Sequence, residues 1–250
     1  MWLYSCLYLS GFKVSLNDIK NFRQWHSKTP GHPEYGLTEG VEATTGPLGQ
    51  GVGNAVGMAL GMKILAAKFN KDGYPLFTGK VYCIAGDGCI MEGVSSEASS
   101  FAGHMKLKNL VVIYDSNHVC LDGPLQECCS EDTKARYRAY GWDVYELNGY
   151  DFDAMESLFG QLRGRQEKPV LIVCDTVIGK GSPHKAGTSK AHGSPLGTEE
   201  VAESKEALGL PKEDFYVPQS VLSFFEQKLA KEAAMEAQWN DLFRRWASAH

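Results

Sequence analysis

The sequence has no C-x-x-C pair. Its seven cysteines are scattered, and the one adjacent pair, Cys128 and Cys129, lacks the roughly two- to four-residue spacing with which thiolates chelate zinc. Reduced thiols are the simpler expectation. No uninterrupted apolar run reaches the roughly eighteen to twenty residues of a membrane span, so none is expected. The opening MWLYSCLYLSG is apolar for about nine residues but has neither a basic leader nor a small-residue cleavage site, which argues against a signal peptide. A cytoplasmic protein is expected. Excess positive charge is also missing: 25 Lys and Arg against 30 Asp and Glu leave a net charge of -5, which argues against nucleic acid as a partner. Internal repeats and low-complexity tracts are absent. What remains is an ordinary globular composition, and 250 residues suffice for one large α/β domain or two small ones.

Residues 2–10 are apolar and aromatic with no capping residue before them, as if the chain opened inside an element. Ser15 precedes Asp18 by three residues, an N-cap signature that predicts a short amphipathic helix. The Gly-, Pro- and Thr-rich stretch from Lys28 to Gly53 reads as a long loop, and loops of that length are usually functional or disordered. From Asn54 to Phe69, Ala55, Met58, Ala59 and Met62 recur at helical spacing. The runs KVYCIAGDG, KNLVVIYDSN and PVLIVCDTVIG read as buried strands, with one helix over MEGVSSEASSFAGHM and another around Asp153 to Leu162. Alternating strands and helices predict an α/β fold: a mostly parallel, doubly wound sheet with helices on both faces. The domain is expected to span residues 1–208. Residues 209–250 would be a helical extension or linker start, with Val221, Phe224, Phe225 and Leu229 as an apolar stripe against the domain.

The informative pair is Asp87, between Gly86 and Gly88 at the end of one predicted strand, and Asn117 at the end of the next. In a parallel sheet both ends open on the carboxyl edge, where such folds bind ligands. A carboxylate and an amide oxygen are hard donors suited to Mg²⁺ or Ca²⁺, ions that often complete their shells with phosphate oxygens. The flanking glycines let a diphosphate approach the backbone, and the following helix start offers N–H groups. Alone, Gly-Asp-Gly reads more simply as a strand-to-helix turn that needs glycine; the spaced Asn117 is what points to a site. Nucleotide fingerprints fail. GQGVGNAVG follows EATTGPL rather than a strand, and GKGS at 179–182 lacks the first glycine of a P-loop.

Four segments in order, SKTPGHPE, GVEATTGPLGQGVGNAVGMA, GDGCIMEGVSSEASSFAGHMKLKNLVVIYDSN and IGKGSPHKAGTSKAHGSPLG, resemble the transketolase family in its bacterial form. The resemblance implies a thiamine-diphosphate-binding domain with the metal held by Asp87, Asn117 and the Val119 carbonyl. By the same resemblance Gly88 would donate its N–H to the diphosphate. Gly46 and Leu48 would line the cofactor, and Ile178 would pack beside it. Glu92 and Glu97 would join a carboxylate network at a homodimer interface, while His32 and His192 would face the substrate, His192 also touching the cofactor. Glu92 and Glu97 also fit plain helix-start carboxylates. His26, His104, His118, His184 and His250 read as structural.

The resemblance further implies two-carbon ketol transfer between sugar phosphates in the pentose phosphate pathway. The family's longer chains place a region before this one and a pyrimidine-binding domain and a C-terminal domain after it. The expectation is therefore a piece of a longer protein, inactive alone, that works with a pyrimidine-binding domain from a neighbouring subunit or chain. A dihydroxyacetone-synthase-like ketol transferase and a non-catalytic cofactor-binding subunit of a split enzyme remain open alternatives.

Overall fold

The structure, a computed structural model, describes residues 1–250. The chain divides into two compact units. One comprises Met1–Pro47, Ile64–Thr78 and Phe215–His250, the other Leu48–Lys63 and Gly79–Asp214.

The second unit holds the sheet. Strands β1 (Val81–Gly86), β2 (Leu110–Ser116), β3 (Asp143–Asn148) and β4 (Val170–Asp175) are all parallel, in the order β1-β2-β4-β3. Side chains of the two central strands alternate between two cores, as the period of a strand requires. Leu110, Val112, Tyr114 and Leu171 pack on one face with Val52, Ala55, Ala59, Ala102 and Tyr137, while Val111, Val170, Ile172 and Cys174 meet Leu158 and Leu162 on the other. Burying a side chain of this size contributes about 1.5–3 kcal/mol. The first core lies under helix α3 (Gln50–Phe69), α5 (Gly93–His104) and α6 (Thr133–Ala139), and the second under α7 (Phe152–Arg165). The chain reverses direction across the sheet only between β3 and β4, and a right-handed crossover then puts the connecting helix on the opposite face. This is the doubly wound arrangement expected.

Several expectations need correction. The helix expected over MEGVSSEASSFAGHM is α5, but a separate short helix that was not expected, α4 (Asp87–Met91), precedes it, and Glu92 in an extended conformation (φ -64°, ψ 141°) divides the two. Helix α3 begins at Gln50, four residues before the expected start. It is also long and apolar enough on average to pass as a membrane span, since its Val, Leu, Ile, Met and Ala residues give a mean hydropathy of 1.2, but Val52, Ala55, Val56 and Ala59 are buried in the sheet core. Strand β3 and helix α6 were not anticipated; β3 is an edge strand with three exposed positions, and α6 is short and polar. At the opposite edge, β1 leaves Tyr82 49% and Ile84 56% exposed.

After β4 the chain forms a long loop and α8 (Thr198–Ala207), which is held through Glu200. That carboxylate accepts from the Ser182 hydroxyl and from the His184 N–H at 2.9 Å, bonds that hold its carboxyl down at about 2.

In the first unit, α1 (Trp2–Leu9) and α2 (Leu16–Lys20) build a small core of Tyr4, Leu7, Val14, Ile19 and Val41. The predicted cap is present: Ser15 Oγ accepts the Asp18 N–H at 3.1 Å, and the Asp18 carboxylate accepts the Ser15 N–H at 2.8 Å. The loop after α2 folds on itself. The Tyr4 hydroxyl donates to the Pro30 carbonyl (2.7 Å), the Thr45 N–H to the Pro33 carbonyl (3.1 Å), and the Tyr35 N–H to Thr44 Oγ1 (3.0 Å). Of the expected apolar stripe of helix α9 (Gln219–Ala249), Phe224 is 61% exposed, whereas Val221 and Phe225 are half-buried and Leu229 lies against Gly11. The second half of the helix is attached as well, where the Trp239 indole N–H donates to the Leu76 carbonyl (3.0 Å) and Trp246 meets Phe69 edge-on.

Candidate functional site

Sheet register sets the site. Gly86 pairs with Asp115 and Ser116 with Asp175, so β1, β2 and β4 end side by side, and Asp87, Asn117 and Thr176 are the next residues out. Asp87 is 3% exposed, so its carboxylate needs partners. Three donors supply them. The Tyr114 hydroxyl donates to Oδ1 at 2.6 Å, and the backbone N–H groups of Asn117 and His118 both donate to Oδ2 at 3.1 Å. Two consecutive amides can point at one oxygen because His118 adopts a left-handed conformation (φ 60°). Burial, then the bond to Asp87, raises the Tyr114 phenol above its ordinary 10.0, so Tyr114 stays a donor at neutral pH. Neither Tyr114 nor His118 was singled out by sequence. A tyrosine in an apolar strand reads as core, and a left-handed histidine has no signature.

Asn117 Oδ1 accepts the Val119 N–H at 3.1 Å, which fixes the amide and brings residues 117–119 into one turn. The Val119 carbonyl accepts no backbone hydrogen bond. Asp87 Oδ1 has a single protein donor. A carboxylate oxygen, an amide oxygen and a main-chain carbonyl with acceptor capacity to spare, set on two adjacent loops, are a donor set that suits a hard divalent cation.

Of the other sequence candidates of the second unit, the structure places Leu48 beside this pair, through Gly88. Leu48 lies over Gly88: a Cβ on Gly88 would come 3.1 Å from Leu48 Cδ1. Gly49 (φ +81°) is wedged against the break at Glu92, where a Cβ would come 2.7 Å from Glu92 Cβ and 2.9 Å from Ser95 Oγ. The Gly-rich loop can therefore pass close to the start of α5 only with glycine at this position. Ile178 follows β4, its carbonyl accepting the Gly187 N–H at 2.8 Å. Glu92 and Glu97 are exposed, one at the N-cap of α5 and one within it. His192 is half-buried, and its Nδ1 is buried with no hydrogen-bond partner.

In the first unit, His32 and Gly46 are neighbours. A Cβ on Gly46 would lie 2.4 Å from His32 Cγ and 2.6 Å from Nδ1, and Gly46 has φ +142°. The His32 ring therefore occupies the space that any other residue at 46 would fill.

With this geometry in view, the comparisons with known proteins agree among themselves. Residues 1–250 match the family described as transketolase, thiamine diphosphate binding domain. Transketolase of Geobacillus stearothermophilus is 49% identical across the whole of this chain, which spans 38% of that relative's length. The structure of transketolase from Leishmania mexicana is 41% identical with a TM-score of 0.95, covering 99% of this chain and 37% of the other. The same identity, coverage and TM-score hold for Pichia stipitis transketolase in complex with sedoheptulose 7-phosphate. The chain belongs to the transketolase family, as its thiamine-diphosphate-binding domain.

Proposed function

We propose that this chain is the metal- and diphosphate-holding part of an enzyme that moves a two-carbon ketol unit between sugar phosphates, with thiamine diphosphate and Mg²⁺ as cofactors. Ca²⁺ is the alternative ion. Residues 1–208 would form the cofactor-binding part and residues 209–250 the start of a linker. The observation that carries this reading is the buried Asp87 carboxylate, which joins the end of β1 to the Asn117–Val119 turn and leaves three oxygens with spare lone pairs.

In this reading Asp87, Asn117 and the Val119 carbonyl hold the metal, and Gly88 presents its N–H to the diphosphate at the start of α4, where the first amides of a helix lack intrahelical partners. Leu48, Gly46 and Ile178 line the cofactor. Thiamine diphosphate, when bound, supplies the nucleophilic carbon that accepts the two-carbon unit from a ketose and passes it to an aldose. Tyr114 keeps the Asp87 carboxylate oriented and, as a neutral phenol, does not compete with its charge. His192, with its unsatisfied Nδ1, and His32, set by Gly46, are proposed to hydrogen-bond the sugar. Glu92 and Glu97 would meet a second subunit, whose pyrimidine-binding domain completes the cofactor site. The sugar phosphate bound to the Pichia stipitis relative supports the substrate class.

Two measurements test the proposal. Titration calorimetry of thiamine diphosphate with Mg²⁺ should show metal-dependent binding that Asp87→Ala abolishes and Asn117→Ala weakens less; equal binding by Asp87→Ala and the parent would refute the site. A coupled assay for glyceraldehyde 3-phosphate released from xylulose 5-phosphate should be silent for these 250 residues alone and respond when a pyrimidine-binding domain is added. Pockets of this kind normally enclose most of their ligand, and omission of one proton-transfer group lowers rates by about 10²–10⁴-fold.

A further inference from the structure

We infer that His184, Glu200 and Glu203 form a binding site for a divalent transition-metal ion of the zinc type, independent of the Asp87 site. The three residues come from two elements. His184 sits on the loop after β4, and Glu200 and Glu203 sit one turn apart on α8. Residues three apart on a helix share a face. Glu200 divides its two oxygens: Oε1 is used by the fold, accepting from Ser182 and the His184 amide, while Oε2 faces the imidazole.

His184 Nδ1 lies 3.1 Å from Glu200 Oε2 and 3.1 Å from Glu203 Oε2, and the three atoms all fall within 4.8 Å of one another. One ring nitrogen carries at most one proton, so it cannot give both carboxylates a well-directed hydrogen bond. Two anionic oxygens are thus drawn to a single point with less than one full donor each. A metal ion satisfies all three at once. Zinc bonds of about 2.0–2.2 Å to nitrogen and oxygen at tetrahedral angles place the ligand atoms about 3.4 Å apart, close to the two separations observed. One imidazole with two carboxylates leaves a fourth position, and these residues border an open cavity of about 560 Å³, lined also by Leu196, Gly197, Thr198 and Glu199, that admits water to it. The imidazole selects zinc-like ions over Mg²⁺ or Ca²⁺. Lys185, the cation beside the cavity, is tied to the Leu196 carbonyl at 2.7 Å. By sequence His184 reads as structural, because its partners lie sixteen and nineteen residues away on a helix whose docking the sequence does not fix.

The test uses the untagged chain near neutral pH with excess Mg²⁺ to occupy the Asp87 site, Co²⁺ as the spectroscopic probe and Zn²⁺ as competitor. One Co²⁺ per chain, displaced by Zn²⁺, should bind with visible absorption and without the near-ultraviolet thiolate band that ligation by any of the seven cysteines would give. His184→Asn and Glu203→Gln, which spare the Glu200–Ser182 bond, should each weaken binding by about tenfold or more while leaving circular dichroism unchanged. Absence of binding, a thiolate band, or the parental affinity in both variants would overturn the assignment.

Discussion

The hydroxyl of Tyr114 donates to the buried carboxylate of Asp87 at 2.6 Å, across the junction of two neighbouring parallel strands. Tyr114→Phe removes that donor and keeps the ring. It should cost about 1 kcal/mol of stability, by analogy with other single hydrogen bonds. The carboxylate then loses one of its three constraints, so metal-dependent cofactor affinity should fall, less than in Asp87→Ala. Urea denaturation and titration calorimetry on the same samples measure the two effects; unchanged affinity would show that the backbone amides of Asn117 and His118 suffice to orient Asp87.

Gly46→Ala should disturb His32 directly, because the added methyl group enters the ring's position and the backbone at φ +142° disfavours any side chain. A loss of about 1–3 kcal/mol is expected. Thermal unfolding reads the stability. In a complete enzyme carrying this domain, the fall in kcat should approach that of His32→Ala. A variant with the parental Tm and kcat would separate His32 from Gly46.

His32→Ala and His192→Ala, made in such a complete enzyme, should slow turnover far more than they weaken cofactor binding. For His192 the motive is its buried, unpartnered Nδ1; for His32 it is its motif and its placement by Gly46. Steady-state kinetics beside cofactor titration separate the two effects, and unaltered kinetics in both variants would return these histidines to structural roles.

Burial pushes the Cys83 thiol up to about 11, so near pH 8 about one part in a thousand is thiolate. Cys128 is exposed. Alkylation followed by mass spectrometry should modify Cys128 well before Cys83, and the Cys83 rate should rise about tenfold per pH unit toward that value. Equal rates at pH 8 would show that β1 opens readily.

The sequence is most readable where burial is complete. Strands β2 and β4 are pressed between two cores and appear as unbroken apolar runs, and β1 ends in the Gly-Asp-Gly turn that marks the site. Strand β3 has Tyr145 and Glu146 exposed, so DVYELN shows no run to find. At the division of α4 from α5, Gly49 packs against Glu92, a contact between residues 43 apart that no local pattern encodes. The site divides in the same way. Asp87 and Asn117 were legible because strand ends impose their spacing. Tyr114, the amide of His118 and the convergence of His184 on α8 arise from tertiary geometry and leave no periodic trace.

Strand β1 has one further consequence. It ends the sheet, and the two aromatic and aliphatic side chains on its open face, Tyr82 and Ile84, are about half exposed. An edge of this kind offers unpaired main-chain groups beside an apolar surface, the combination that promotes strand-to-strand adhesion between molecules. This rim, which lies some distance in sequence from every residue that carries the chemistry except the Gly86–Gly88 turn, is therefore one contributor to the colloidal behaviour of the chain. Charged substitutions at Tyr82 and Ile84 offer a way to change its solubility without touching Asp87.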